Sequence, residues 1–302
     1  NILISESARG EGGYLLDEKE NRFIDELKPR DEVARAIYEK IEKNQKVYLD
    51  LRHLGIDKIK ELMPQERRLA YDYSNIKIEE QLLPISPASH YSMGGIKTDI
   101  NARTNIRNLF ACGECAEASI HGANRLGGNS LLEIVTFGKI AGINASNDGK
   151  NIGELNTSTN YAKEDEENIN NIYNYSTKIN FYTKKDDIGN LLFNNLGLFR
   201  NEKKISALIK TIEELNLDIK NMGIVDKSKT YNKNLVEFLE FRNILNVALL
   251  ASISALNRKE SRGSHFRLDY PSEMQKYEKN TIIKKVDDKI VVKFEEIVWK
   301  LI

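Results

Sequence analysis

Apolar positions along this chain switch repeatedly between the period of a strand and that of a helix. Residues 2–5 read as a short apolar strand, RGEGG (9–13) as a glycine-rich turn, and Tyr14–Leu16 as a second strand. Asp17–Asn21 then reads as a polar hairpin loop. In KPRDEVARAIYEKIEKN, Val33, Ala36, Ile37 and Ile41 recur at helical spacing. Pro29 and Asp31 both suit a helix start, which puts Arg30 at the mouth of that helix. Residues 47–51 alternate as a strand. Residues 56–63 suggest a short helix ended by Pro64, and 79–89 are extended around Pro84 and Pro87. HYSMGGIKTD (90–99) reads as strand, turn and strand, and LFACGE (109–114) as a strand entering a turn. HGANRLGGNS (121–130) is a long Gly/Asn loop, and LLEIVTFGKIAGINAS (131–146) an apolar helix capped by Asn129 or Ser130.

Beyond residue 146 the composition turns to Asn, Asp, Glu, Lys and Ser, which places the main boundary at 147–155. Tyr161, Ile169, Ile172 and Tyr173 could anchor a helix in the segment that follows. LLFNNLGLFR (191–200) leads into a stretch where Ile205, Leu208, Ile209 and Ile212 make one apolar face. Residues 235–260 are long and apolar on one side, so a helical hairpin or small bundle is expected. TIIKKV and KIVVKFEEI flank Asp287–Asp288, the pattern of a β-hairpin.

Composition narrows the classes. With 302 residues, 40% of them hydrophobic, the chain holds one sizeable core or two modest ones. The 45 basic and 45 acidic residues balance, so no nucleic-acid partner is expected. Basic runs such as Arg200, Lys203 and Lys204 read as a solvated face. No run approaches about 18 uninterrupted apolar residues, so no membrane span is expected. NILISESARGEGG lacks the features of a signal peptide and resembles the interior of a domain, so the sequence reads as a fragment or a processed chain. Cys112 and Cys115 form a single C-x-x-C pair. One pair cannot complete a four-ligand zinc site, and it is read as packing in a reducing, cytoplasm-facing compartment. RGEGG has the wrong spacing for a dinucleotide fingerprint, and the chain has no GxGxxG.

Three cationic side chains stand out. Arg30 lies at a helix mouth, His90 before a tight YSMGG turn, and Arg125 in the Gly/Asn loop ahead of a helix. Arginine offers a planar fork that matches a carboxylate, and a histidine ring can donate with less bulk. A structural histidine and an ordinary loop arginine account for the same residues. Gly127, Gly128, Asn129 and Ser130 precede a helix whose free amides and positive end would favour a developing negative charge, or simply cap the helix.

Longer motifs decide more. HYSMGGIKTD followed by NLFACGECAEASIHGANRLGGNSLLEIVTFGKIAG, together with SESARGEGGYLL, KPRDEVARAI and SRGSHFRLDYP in that order, closely resembles the FAD-containing flavoprotein subunit of succinate dehydrogenase and fumarate reductase. L-aspartate oxidase is a relative in the same superfamily. The resemblance covers about residues 2–146 and 235–271, and implies the C-terminal portion of such a subunit. The implied fold is α/β with an all-α C-terminal region: a partial FAD-binding fold plus part of a capping domain, then a helical bundle and a terminal β-hairpin. Residues 1–88 would belong to the substrate-capping domain, 89–150 to the FAD-binding domain, 151–271 to the helical domain and 272–302 to the hairpin tail.

The resemblance also implies roles. Arg30 matches the arginine that delivers a proton to the substrate double bond, with Glu6 and Arg9 as the relay that resupplies it. His90, Arg125 and Ser5 match groups that bind the substrate, Ser5 standing where the family often has threonine. Glu114, Asn129, Ser130 and Leu131 match groups that bind FAD, whose covalent or non-covalent attachment is left open. Arg262, His265 and Arg267 would mainly join the helical and flavin domains. The implied enzyme is an FAD-dependent oxidoreductase transferring hydride between FAD and succinate or fumarate. The alternatives are an L-aspartate oxidase forming iminoaspartate, and a non-catalytic fragment unable to bind FAD alone. Implied partners are the N-terminal half of the same flavoprotein and, for the respiratory enzyme, an iron–sulfur subunit. The implied location is cytoplasmic, peripheral at the inner membrane face where partner subunits hold it there.

Overall fold

The computed structural model describes residues 3–150, 160–287 and 289–297. The chain forms two compact units, Asn1–Asn144 and Ala145–Ile302.

The first unit opens on a short helix α1 (Ser7–Gly10) and a strand β1 (Tyr14–Leu16), followed by helix α2 (Arg30–Glu42), strand β2 (Val47–Asp50), helices α3 (Ile56–Leu62) and α4 (Pro64–Ser74), and strand β3 (Leu83–Ile85). The three strands make an antiparallel sheet in the order β1-β2-β3, with Leu15 opposite Leu49 and Leu49 opposite Leu83. Val33 and Ile37 on one face of α2, Ile59 on α3 and Ala70 on α4 pack with Leu15, Val47, Leu49 and Leu51 into one core. That alternation places inward strand residues against helix residues one turn apart. A second, parallel pair follows: β4 (Ile96–Lys97) beside β5 (Ala116–Glu117). Helix α5 (Asn129–Lys150) completes the unit, with Phe137 and Ala141 buried against Ala102 and Ala118.

Two local readings change. Residues 3–5 are not a strand, and the following SARG turns helical, with residues 1–2 outside the described set. Gly13 explains the turn after it: its amide donates to Ala8 O at 2.9 Å, and a Cβ there would lie 2.6 Å from that same oxygen. Pro64 follows the end of α3 at Leu62, as expected, but a second helix starts on it at once. It is the first residue of α4, where its missing N–H costs nothing.

The second unit contains helices α6 (Asn160–Ile172), α7 (Phe181–Leu196), α8 (Glu202–Leu217) and α9 (Lys233–Asn257), then strands β6 (Asn280–Val286) and β7 (Lys289–Glu295). Side chains of Asn180, Asn201 and Asn232 accept from Tyr182, Lys204 and Leu235 amides at 2.9, 2.9 and 2.8 Å, which sets the starts of α7, α8 and α9. Ile188 of α7, Leu208 and Ile212 of α8, and Phe238, Phe241 and Leu245 of α9 share one core. β6 and β7 pair antiparallel to Val286–Lys289, the expected hairpin.

Helix α9 is the one described helix long and apolar enough to cross a membrane, with mean hydropathy 1.3 in its most apolar window. Counting uninterrupted apolar runs misses it, because Arg242, Asn243, Asn246, Ser252 and Ser254 break the run. Its Phe238, Phe241 and Leu245 are fully buried in the helical core.

Arg200 does not belong to a solvated basic face. Its Nε donates to Gly197 O at 2.9 Å and its Nη1 lies 2.9 Å from His265 Nδ1. Burial, then the nearby Arg267, pulls its guanidinium down to about 10. Burial first, then Arg200, likewise holds His265 down to about 4, so the ring is neutral at physiological pH. Within the second unit, charged residues of the motif SRGSHFRLDYP form a local network. Arg262 pairs with Glu260, and His265 Nε2 is 3.0 Å from Arg258 O. Arg267 forks onto both oxygens of Asp269 at 2.8 Å and donates to the Ala255 and Leu256 carbonyls at 2.9 and 3.1 Å. These residues tie the end of α9 to the segment after it.

Candidate functional site

The first unit gathers charged groups from three distant segments. Pro29 sets an extended backbone just before α2 and so directs Arg30, its first residue, outward. Arg30 Nη2 pairs with Glu6 Oε2 at 2.5 Å, and Arg9 Nη2 lies 3.8 Å from the same oxygen. Arg9 Nη1 donates to Glu26 O at 2.6 Å. Burial is the main influence that lowers the Arg9 pKa, opposed by the Glu6 carboxylate and reinforced by Arg30. Two guanidiniums therefore flank one carboxylate, Arg30 in direct contact and Arg9 further off.

The Gly/Asn loop reaches the same place. A Cβ on Gly127 would stand 1.9 Å from Glu6 Oε1 and 3.3 Å from Arg30 Nη2, so the loop backbone lies against the pair. Asn124 Nδ2 donates to Asp31 Oδ1 at 2.8 Å, tying the loop to the first turn of α2. Asp31 also holds Arg35 at 2.8 Å, and its charge favours the helix N-terminus. Arg125, between these two contacts, is 6% exposed. Its amide donates to Met93 Sδ at 3.1 Å and its Nη1 to Leu126 O at 3.0 Å, while its buried Nε has no partner among the described residues.

The other sequence candidates are placed as follows. Ser5 is exposed, and its hydroxyl accepts from the Ser7 amide at 3.2 Å. His90 is exposed, and among the described residues no hydrogen bond or ion pair joins it to the Arg30 cluster. Glu114 Oε1 accepts from the Ser92 amide at 2.8 Å, which links it to the loop that carries His90. Asn129, Ser130 and Leu131 form the first turn of α5, with the Leu131 amide donating back to Gly128 O at 3.0 Å. Gly128 has φ +80°, a conformation that suits glycine and sharpens the entry to the helix. Cys112 and Cys115 are both free, and Cys115 Sγ points to Cys112 O at 3.4 Å.

Sequence reasoning missed a buried group beside this site. Glu133, 2% exposed, accepts from Tyr91 Oη at 2.9 Å and lies 2.7 Å from His121 Nε2. The Arg125 guanidinium lies over the Tyr91 ring, 4.5 Å from its centroid. A lone carboxylate among the apolar residues LLEIV was the available signal.

Comparison with known proteins identifies the family. Residues 1–131 match the FAD binding domain family, and 185–302 match the fumarate reductase flavoprotein C-terminal family. The fumarate reductase flavoprotein subunit of Escherichia coli is 36% identical over 296 residues, covering 89% of this chain and 49% of that protein. The succinate dehydrogenase flavoprotein subunit of Coxiella burnetii is 33% identical over 302 residues, covering 89% and 50%. A solved structure of a variant of E. coli quinol fumarate reductase superposes with TM-score 0.92 at 32% identity, covering 100% of this chain and 57% of that one.

FAD, the cofactor of the matched domain family, has suitable groups here. Leu126, Leu131, Leu132 and Val135 are 66–72% exposed around the start of α5, an apolar ridge beside first-turn amides. That set fits a flat ring with an electron-rich edge. No GxGxxG is present to hold a pyrophosphate. The mixed α/β fold, the helical region and the terminal strand pair agree with the same relatives. The chain is a homologue of the flavoprotein subunits of fumarate reductase and succinate dehydrogenase, and it spans about half the length of the relatives it matches.

Proposed function

We propose that this chain supplies the dicarboxylate-facing and isoalloxazine-facing part of a succinate/fumarate oxidoreductase, with Arg30 as the proton shuttle. The observation that carries the reading is the convergence of Glu6, Arg9, Arg30 and the Gly127 backbone. Arg125, His90 and Ser5 hold the two carboxylates of the substrate. Arg30 gives its proton to one alkene carbon of fumarate, and Glu6 with Arg9 returns it. An arginine is a poor acid in water because its pKa exceeds about 12. The shared carboxylate and the paired cations make the transfer feasible by fixing the donor and restoring its proton at once. FAD, when bound near Glu114, Asn129, Ser130 and Leu131, supplies the hydride chemistry. Succinate oxidation is the reverse.

The exposed apolar ridge of Leu126, Leu131, Leu132 and Val135 supports a second part of the same flavoprotein covering this face. An iron–sulfur subunit, at the cytoplasmic face of the membrane, delivers the two electrons that fumarate reduction consumes and takes them onward in succinate oxidation. The test is a panel on the full-length protein: succinate, fumarate and L-aspartate, each with quinone analogues and with oxygen. Turnover of succinate or fumarate is expected. Consumption of L-aspartate alone would replace the reading with an aspartate oxidase, and a folded protein that stays colourless under saturating FAD would make it non-catalytic.

Gly127→Ala probes the same cluster gently. The glycine lies outside the positive-φ region, so alanine suits the backbone, but its methyl must push Glu6 off Arg30. Fumarate reduction is expected to fall about 10–100-fold. Stability should change by less than about 1 kcal/mol, because only a flexible carboxylate end has to move. Steady-state kinetics and thermal denaturation check the pair of outcomes. Unchanged turnover would separate Gly127 from the chemistry.

A further inference from the structure

We infer that Glu133, acting through Tyr91 and His121, is a positioning residue that fixes Arg125 in its substrate-binding orientation. The inference rests on the proposed role of Arg125 as a carboxylate anchor.

Glu133 lies on α5 one turn beyond Asn129 and is 2% exposed. Burying a carboxylate costs several kcal/mol unless it is paired and hydrogen-bonded, so an apolar residue would serve the helix better. A single oxygen, Oε2, takes both contacts, from Tyr91 Oη at 2.9 Å and from His121 Nε2 at 2.7 Å. The Tyr91 and His121 rings meet edge to face with centroids 5.5 Å apart. Burial, then the bond to Glu133, pushes the Tyr91 hydroxyl up to about 12, so it stays a donor throughout the physiological range.

The ring held in this way is the platform for Arg125. The guanidinium carbon stands 4.5 Å from the Tyr91 centroid, within cation–π range. Arg125 is also fixed at its amide by Met93 and at Nη1 by Leu126 O. The buried Nε is left without a partner among the described residues. A fixed plane with an unpaired N–H edge is what side-on recognition of a carboxylate requires. Glu133 thus acts at one remove: it sets the ring, the ring sets the guanidinium plane, and the plane sets where a carboxylate lands. Its negative charge behind the phenol also raises the electron density of the ring face that Arg125 covers.

Tyr91→Phe keeps the platform and removes the hydroxyl. Glu133→Gln keeps an acceptor and removes the charge. Both variants, their double mutant and Arg125→Ala are made in the complete flavoprotein with FAD bound. Calorimetry then measures binding of malonate, a dicarboxylate with no C–C bond that can become an alkene. Each single variant is expected to weaken malonate about ten-fold. The double mutant should be no weaker than the worse single, because both act through one hydrogen bond. The KM for fumarate should rise in parallel while kcat changes less, with FAD content and melting temperature retained in Tyr91→Phe. A merely structural role would lower the melting temperature and leave malonate affinity alone. If Arg125→Ala loses malonate binding while Tyr91→Phe and Glu133→Gln keep it, the positioning role is wrong and the anchor stands. If Arg125→Ala binds malonate as tightly as the native protein, the anchor reading and this inference fall together.

Discussion

Fumarate reduction by the complete flavoprotein is expected to fall by about 10²–10⁴-fold when Arg30 is replaced by alanine. The size follows from what the side chain does. General acid catalysis contributes in that range when the donor sits within reach of the accepting carbon. Arg30 is held at a helix mouth by Pro29 behind it and by the Glu6 carboxylate at 2.5 Å. Truncation removes the donor and leaves Glu6 facing Arg9, so no neighbouring group replaces it. Arg30→Lys keeps the charge but loses the planar fork that pairs with Glu6 and presents a second N–H to substrate, so it should recover only part of the loss. Malonate binding should weaken much less than turnover falls, since Arg125 and His90 remain as anchors. Retained fumarate reduction in Arg30→Ala, with FAD bound, would end the proton-shuttle assignment. A parallel loss of malonate binding would make Arg30 an anchor instead.

Much of what places Arg30 is local, which is why it is legible in sequence. Pro29 and Asp31 carry a helix start in three residues, and α2 begins at Arg30. The apolar spacing of Val33 and Ile37 gives the buried face, and both residues are buried. The hairpin around Asp287 is local in the same sense, and Asn201 and Asn232 cap helices close to where apolar spacing begins. Pro64 is legible as a stop but not as a start, because proline at a first helical position and proline after a last one leave nearly the same trace. Its neighbour α3 ends at Leu62 and α4 begins at Pro64, so the proline does both.

The site itself is only half legible. Motif order singles out Glu6, Arg9, Arg30 and Arg125, but the contact that brings the Gly/Asn loop against the Glu6–Arg30 pair spans 121 positions of chain, from Glu6 to Gly127. The network of Tyr91, His121 and Glu133 is harder still. Each member sits in a different segment, and each looks ordinary alone: a tyrosine beside a histidine, a histidine in a glycine loop, a glutamate in a helix. Only burial marks Glu133 as unusual, and burial is a property of the folded unit. The second unit gives the converse case. SRGSHFRLDYP stands out in sequence, and its charged residues suggest a surface that meets another domain. Fully buried Arg267, in the segment after α9, spends its donors on the last turn of that helix and on Asp269.

Arg267→Ala is expected to destabilise the second unit by about 3 kcal/mol, the cost of removing a buried arginine that pairs with a partly exposed carboxylate and satisfies two carbonyls. Arg267 is 0% exposed and uses all three of its nitrogens. Nε and Nη2 fork onto Asp269 at 2.8 Å each, and Nη1 donates to Ala255 O and Leu256 O at 2.9 and 3.1 Å. Those carbonyls belong to the last turn of α9, where no helical amide remains to reach them. Truncation would strand them in the interior and leave a void the size of the lost side chain. One effect runs the other way: Arg267 repels Arg200 and His265, and its loss relieves both. Arg267→Met separates the contributions. It restores volume but no donors, so it should recover the packing share and leave the carbonyls unpaired. Acid adds a second signature. The hydrogen bond from Arg267 is the first cause that holds Asp269 down to about 2, below its ordinary 3.8. A carboxylate depressed in the folded state contributes stability above its unfolded pKa and loses it as pH falls through the folded one. The gap between native and Arg267→Ala proteins should therefore narrow as pH drops from 3.8 towards 2. Urea unfolding of the full protein followed by helical circular dichroism, at neutral pH and across that acid window, measures both effects. A midpoint unchanged at neutral pH would mean that the fork and the carbonyl contacts contribute nothing net to the end of α9.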